Sequence, residues 1–210
     1  GAFGRTYAFY SVATDNVGHV ELDAIVPDAV TQLVDPATVE FLNGQVIVTG
    51  GPDFDNVTFY PGPAANSVVV RVNGRILGPF AAATKLVAFG NVGADRIAVE
   101  RVVGLPPAEF HGGDGNDRLY GAYANDVLYG DDGRDYLEGF NGHDRLFGGE
   151  GDDVLQGGFG NDVLYGEGGN DRLRGYVGND LLFGGAGRDY LNGDDGNNVL
   201  VGGDANDRLG

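Results

Sequence analysis

Residues 112–210 repeat one short pattern, a Gly-rich half followed by a single Leu set between two variable positions. The segment divides into eleven consecutive nonapeptides with no insertion or deletion. Position one is Gly in all eleven, from Gly112 to Gly202, and position eight is Leu in all eleven, from Leu119 to Leu209. Position six is Asp in ten, with Asn198 the exception; position four is Gly in nine, with Ala124 and Ala205 departing. A fixed period of this kind marks a repeat architecture. Each unit reads as a tight turn joined to a very short strand, whose Leu points inward while positions seven and nine point outward. Two units, eighteen residues, then form one coil with a strand on each side, and units i and i+2 become stacked neighbours.

Upstream, residues 26–111 carry strand signals without a strict period. Val39 to Leu42 and Gln45 to Thr49 flank Asn43-Gly44, and Val68 to Val72 and Arg75 to Leu77 flank Asn73-Gly74. Apolar or β-branched runs around Asn-Gly predict hairpins, since both turn residues tolerate positive φ. Two degenerate copies of the nonapeptide, beginning at Gly50 and Gly90, keep the sixth-position Asp as Asp55 and Asp95 and an apolar eighth residue. Their turns carry Pro52, Asp53 and Phe54, or Val92 and Ala94, which sets them apart from the array. The region reads as β structure leading into or capping the repeats. Residues 1–25 differ again: Gly4 to Ala13 alternates apolar and polar, and Thr14-Asp15-Asn16-Val17-Gly18-His19 turns. This stretch resembles the last two strands of a bacterial fibronectin type III-like sandwich, with His19 where such sequences often have Asn. Two strands cannot bury a sandwich core, so the chain is expected to be a piece of a longer protein.

Sorting outward positions by parity separates two faces. Odd units present a mixed, solvated set. Even units present Val127, Tyr129, Arg145, Phe147, Val163, Tyr165, Leu181, Phe183, Val199 and Val201, in which Arg145 is the one polar residue. The even turns are expected to add Tyr123, Phe140, Phe159, Tyr176 and Val177. An apolar strip of roughly 500 Å² lies at the upper end for a monomer, so this face is expected to be covered, by residues 26–111 folding back or by a second copy.

Charge narrows the chemistry. Thirty-one acidic against thirteen basic residues give a net charge of -18, which excludes nucleic acid and anionic membranes as partners. No apolar run approaches the ~20 residues of a membrane-spanning helix. With no Cys there is no disulfide, thiolate site or cysteine nucleophile. The array alone holds twenty acidic and seven basic residues with 27 Gly, which opposes folding unless a cation neutralises it.

The repeats resemble the RTX, or haemolysin-type, nonapeptide Gly-Gly-x-Gly-x-Asp-x-(apolar)-x. That resemblance implies an all-β fold, a right-handed parallel β-roll of eleven repeats in which Ca²⁺ bridges turns of adjacent coils. The implied carboxylate ligands are Asp117, Asp135, Asp153, Asp171, Asp189 and Asp207 on one side. On the other they are Asp126, Asp144, Asp162 and Asp180, with Asn198 supplying a neutral oxygen. The implied carbonyl donors come from the turn glycines Gly113, Gly115, Gly133, Gly142, Gly149, Gly151, Gly158, Gly160, Gly169, Gly178 and Gly187. Stacking pairs these into about nine inter-coil sites. The resemblance also implies secretion and folding on exit into calcium.

Catalysis finds little support. His19, His111 and His143 with Ser11 and Ser67 are the whole stock of bases and hydroxyl nucleophiles of the usual kind, and neither a zinc motif nor a nucleophile elbow is present. His143 stands at position five of a repeat, where Asn is commonest, and reads as an exposed turn residue. Three readings stay open: a calcium-folded structural module of a larger extracellular protein, an adhesin or surface-layer segment, and the non-catalytic tail of a secreted hydrolase. The last unit ends at Leu209-Gly210 without a polar cap, an open edge expected to continue or to stack on a partner.

Overall fold

A computed structural model describes residues 37–210. The first strands are β1 (Thr38–Leu42), β2 (Gln45–Thr49), β3 (Asn56–Pro61), β4 (Ser67–Val72), β5 (Arg75–Ala81), β6 (Lys85–Val92) and β7 (Arg96–Val99). They are followed by β8 (Ala108–Asp114), β9 (Arg118–Tyr120), β10 (Val127–Asp132), β11 (Tyr136–Asn141), β12 (Arg145–Glu150) and β13 (Val154–Phe159). The last are β14 (Val163–Gly168), β15 (Arg172–Val177), β16 (Leu181–Ala186), β17 (Tyr190–Asn192), β18 (Val199–Asp204) and β19 (Arg208–Leu209). No helix occurs among the described residues. The fibronectin-like strands expected before residue 26 lie outside them.

The strands form a two-sided parallel β-solenoid. One sheet runs β1-β2-β6-β8-β10-β12-β14-β16-β18, the other β19-β17-β15-β13-β11-β9-β7-β3-β4-β5. Register follows the eighteen-residue coil: Leu128 pairs with Leu146, Leu146 with Leu164, and Leu164 with Leu182. The opposite sheet aligns Leu119, Leu137, Leu155 and Leu173 in the same way. These Leu side chains are fully buried between the sheets. Burying each stabilises the fold by ~1.5–3 kcal/mol before entropy is counted. The two sheets thus touch through one Leu per unit, a thin core for so much Gly-rich backbone.

Parallel stacking begins well before Gly112. Strands β2 and β3 make the first coil and β6 and β7 the next, with β2 parallel to β6 and β3 parallel to β7. Val57 and Ile97, the eighth residues of the degenerate copies, are buried like the repeat leucines. A β4–β5 excursion and the turn at 100–107 interrupt the sequence period but not the stack. Both expected hairpins form, with Leu42 opposite Gln45 and Val72 opposite Arg75. Their turns place Asn43 and Gly44 at φ 52° and 80°, and Asn73 and Gly74 at 47° and 83°. At this end the sheets finish in antiparallel strands, and edge strand β5 carries Pro79, which has no N–H to leave unpaired.

Two expectations about the faces need correction. Residues 37–111 do not fold back over the even strip; they add rungs to the same sheets. Nor do the even turns belong wholly to the even face. Most strands of the array continue past position nine into position three of the following unit, as in β11, β13 and β15, and the chain there reverses only at positions four to six. Phe140, Phe159, Tyr176 and Val177 therefore lie in the sheet of the odd units.

Candidate metal-binding turns

Position six folds its side chain into the turn because the backbone ahead of it, running through Gly, leaves space there. The result is a continuous hydrogen-bonded row. Asp117 N–H donates to Asp135 Oδ1 at 2.7 Å, Asp135 N–H to Asp153 Oδ1 at 2.7 Å, and the row runs on through Asp171 and Asp189 to Asp207. On the opposite edge Asp126 N–H donates to Asp144 Oδ1 at 2.7 Å, and the row passes Asp162 and Asp180 to Asn198. Each of the nine inter-coil pairs expected from spacing is thereby brought together. Asn198 Oδ1 takes the place of a carboxylate oxygen at 2.9 Å from Asp180 N.

The first row also extends upstream. Asp55 N–H donates to Asp95 Oδ1 at 2.6 Å, and Asp95 N–H to Asp117 Oδ1 at 2.6 Å. Both residues are buried. Sequence reasoning set these two aside for their irregular turns, yet the sixth-position Asp and the buried eighth residue were the usable signal.

The second carboxylate oxygen carries the chemistry. Oδ2 of Asp117, Asp135, Asp144, Asp153, Asp162, Asp171, Asp180 and Asp189 is buried and accepts no hydrogen bond. Buried polar atoms are nearly always paired, so eight at one position of a repeat point to a partner that is not a protein donor. At the start of each row that oxygen is satisfied locally: Gly51 N–H donates to Asp55 Oδ2 at 2.8 Å and Ala122 N–H to Asp126 Oδ2 at 2.9 Å.

Main-chain oxygens converge on the same places. A Cβ added at Gly148 would stand 2.5 Å from Asp153 Oδ2 and 2.6 Å from the Gly166 carbonyl oxygen of the next coil. At Gly121 the corresponding distances are 2.5 Å to Asp126 Oδ2 and 2.7 Å to Gly139 O. Gly50 repeats the arrangement with Asp55 Oδ2 at 2.5 Å and Gly90 O at 2.7 Å. Only Gly fits there. Gly133, with φ 146°, shows why position four is also Gly: a Cβ would overlap the Gly115 carbonyl oxygen of the coil before. The eleven turn glycines expected to direct carbonyls inward all have φ between 98° and 153°.

This donor set is all oxygen, part anionic and part carbonyl, the kind that Ca²⁺ takes in numbers of six to eight. Among the described residues no group of three or more His, Cys, Asp or Glu side chains is placed to hold a metal ion by itself. That accords with the geometry, in which carboxylates meet two at a time and carbonyls supply the rest. Burial raises Asp135 and Asp144 to about 8, and the carboxylates of adjacent coils push the same way, offset in part by the backbone N–H each accepts. Burial likewise lifts Asp171 to about 7, and Asp117, Asp126, Asp153 and Asp162 to about 6. A cation between coils would offset that cost. The chemistry of these turns fits calcium: the position-six carboxylates with turn carbonyls would hold it, and its charge would lock adjacent coils together.

Position five runs a second, exposed ladder, in which Asn125 Oδ1 accepts from His143 N and His143 Nδ1 accepts from Asn161 N, both at 2.8 Å. His143 thus occupies an Asn place in a turn. His111 stands in the outer aromatic stack of the first sheet, Phe89–His111–Tyr129–Phe147–Tyr165–Phe183, with centroids 4.4–5.1 Å apart. The ladder extends the even strip two rungs upstream of the repeats.

A search among curated proteins found no match. A family model of four copies of the RTX calcium-binding nonapeptide repeat matches at 111–146, 138–173 and 174–209. Residues 111–209 are thus RTX calcium-binding nonapeptide repeats, and the solenoid they build is a calcium-binding structural module.

Proposed function

We propose that this chain is the calcium-folded part of a larger secreted or cell-surface bacterial protein, folding outside the cell and serving assembly or adhesion rather than catalysis. The observation that carries this reading is the row of buried, unpaired carboxylate oxygens facing carbonyls of the next coil. The ligands are Asp117, Asp135, Asp153, Asp171, Asp189 and Asp207 in one row, and Asp126, Asp144, Asp162, Asp180 and Asn198 in the other. The cradle at Gly50 supports adding Asp55 and Asp95 to the first row. Counting intervals along the two rows then gives seven and four sites.

Assembly is assigned to the even strip. Val127, Tyr129, Phe147, Val163 and Tyr165 are half-buried there, Leu181, Val199 and Val201 are exposed, and no described strand lies over them. A second copy presents the same apolar strip, so the contact is between like faces. Replacing Val163 and Phe183 with Asp should leave calcium-induced folding intact on circular dichroism. The same variant should sediment as a monomer at concentrations where the parent chain, loaded with calcium, associates. A parent chain that stays monomeric at every concentration would refute assembly through this strip and leave the calcium reading standing.

A further inference from the structure

The outer face of the odd sheet, which sequence reasoning treated as merely solvated, holds a cleft of about 410 Å³. Its centre is position two of three successive coils, a position that is left-handed along most of the array, at Asp131 and Glu167 as well. Phe140, Gly158 and Tyr176 are aligned on three consecutive strands, β11, β13 and β15. All three are at position two and all three are left-handed, with φ 73°, 118° and 75°. Gly adopts that conformation freely, whereas a bulky aromatic residue does so at a cost, which the stacked coils impose at this position. Two rings are thus held at a position that suits Gly, with Gly left only between them.

Each ring has a guanidinium over it. Arg101 lies over Phe140 at 4.5 Å from the centroid, and Tyr120 stacks at 6.4 Å, both from coils before Phe140. Arg174 lies over Tyr176 at 4.0 Å and is ion-paired with Asp194 of the coil after it. Phe140 and Tyr176 line the cleft on either side of Gly158, and Tyr176 leans across to Gln156 of the middle strand. Rungs are ~4.8 Å apart, so the strands that carry the two rings are about 9.6 Å apart with only Gly158 between them.

The floor of the gap is polar. Tyr176 O–H donates to Gln156 Oε1 at 3.1 Å, which leaves the Gln156 amide N–H groups to donate. Tyr136 O–H donates to Glu138 Oε2 at 3.0 Å, which leaves Glu138 Oε1 to accept. Glu138 and Gln156 are register partners, so a donor and an acceptor sit side by side beneath the gap. A plain aromatic ring would bury these groups without partners, at a cost. A sugar ring meets both demands, with C–H faces for Phe140 and Tyr176 and adjacent hydroxyls for Glu138 and Gln156. We propose that this cleft binds one hexopyranose unit of a neutral glycan: Arg101 and Glu138 both line it and offset each other, and the chain's net charge of -18 repels an anionic glycan.

The test uses the full chain in calcium, titrated by NMR with cellohexaose and maltohexaose as glycan probes and with phenol as the aromatic probe. Phe140→Gly and Tyr176→Gly each restore the residue the repeat tolerates at position two, so the coil should fold at least as well, as circular dichroism would confirm. Saturation transfer to at least one of the two sugars is expected. Its affinity should fall tenfold or more in either Gly variant, and should weaken in Gln156→Ala with the fold intact. Failure of both sugars to bind at millimolar concentration, equal binding by the double Gly variant, or binding of phenol alone would each overturn the proposal.

Discussion

Chelating calcium at pH 7.5 is expected to convert the solenoid from strand to coil on circular dichroism, and millimolar calcium to restore it. Leu burial alone must oppose the backbone entropy of 27 Gly in 99 residues and a net charge of -13 in the array. To this is added the cost of carboxylates ionised in a buried row. Because binding makes the site as the chain folds, the metal's binding free energy is folding free energy. The pH dependence follows from the same groups. Asp135 and Asp144 titrate near 3.8 when unfolded and are raised to about 8 by burial, while Asp117 and Asp153 reach about 6. Between those limits the folded, metal-free chain holds more protons than the unfolded one, so its stability falls as pH rises. Chelated protein should therefore regain part of its β signal at pH 5.5. Calcium must displace those protons, so the midpoint of calcium-induced folding should move to higher concentration as pH falls from 8 to 6. A midpoint that does not move with pH would detach the carboxylates from the metal.

Gly148→Ala is expected to damage the roll more than Leu155→Ala does. Removing three carbons from the buried Leu stack leaves a cavity and costs about 2–5 kcal/mol, within the usual range for such changes. The added methyl at Gly148 has nowhere to go: it would meet Asp153 Oδ2 at 2.5 Å and a backbone carbonyl of the next coil at 2.6 Å. It would occupy the space between coils and displace the very oxygens proposed to hold calcium. Calcium titrations followed by circular dichroism should show Leu155→Ala folding fully at raised calcium. Gly148→Ala should lose one ion and require more calcium still. If Gly148→Ala folds like the parent chain, the cradle is not a binding site.

How far the sequence discloses this structure depends on whether the period survives. Within the array, each Asp finds its partner at a separation of 18, and every pair read from spacing is hydrogen-bonded. Leu at position eight marks the core from Leu119 to Leu191, because it alone is apolar in every unit; in the last coil Leu200 is only partly buried and Leu209 is exposed. Upstream the same row joins residues separated by 40 and then 22, since the β4–β5 excursion and the 100–107 turn lie between. A fixed nine-residue window misses both, although Asp55 and Asp95 sit in the same row. The aromatic cleft was hidden for another reason. Assigning whole units to one side put Phe140 and Tyr176 with the even strands, whereas the strand runs on through position three and leaves them on the odd sheet. Where a strand ends is decided by backbone turning at Gly, which the residue pattern marks only coarsely.

The central claim is that calcium sits between coils, one ion per interval of the Asp rows. Native mass spectrometry of the calcium-loaded chain counts those ions directly. The account predicts about eleven, falling by two when Asp55 and Asp95 are both changed to Asn. A folded chain, with full strand signal, carrying no calcium would contradict it.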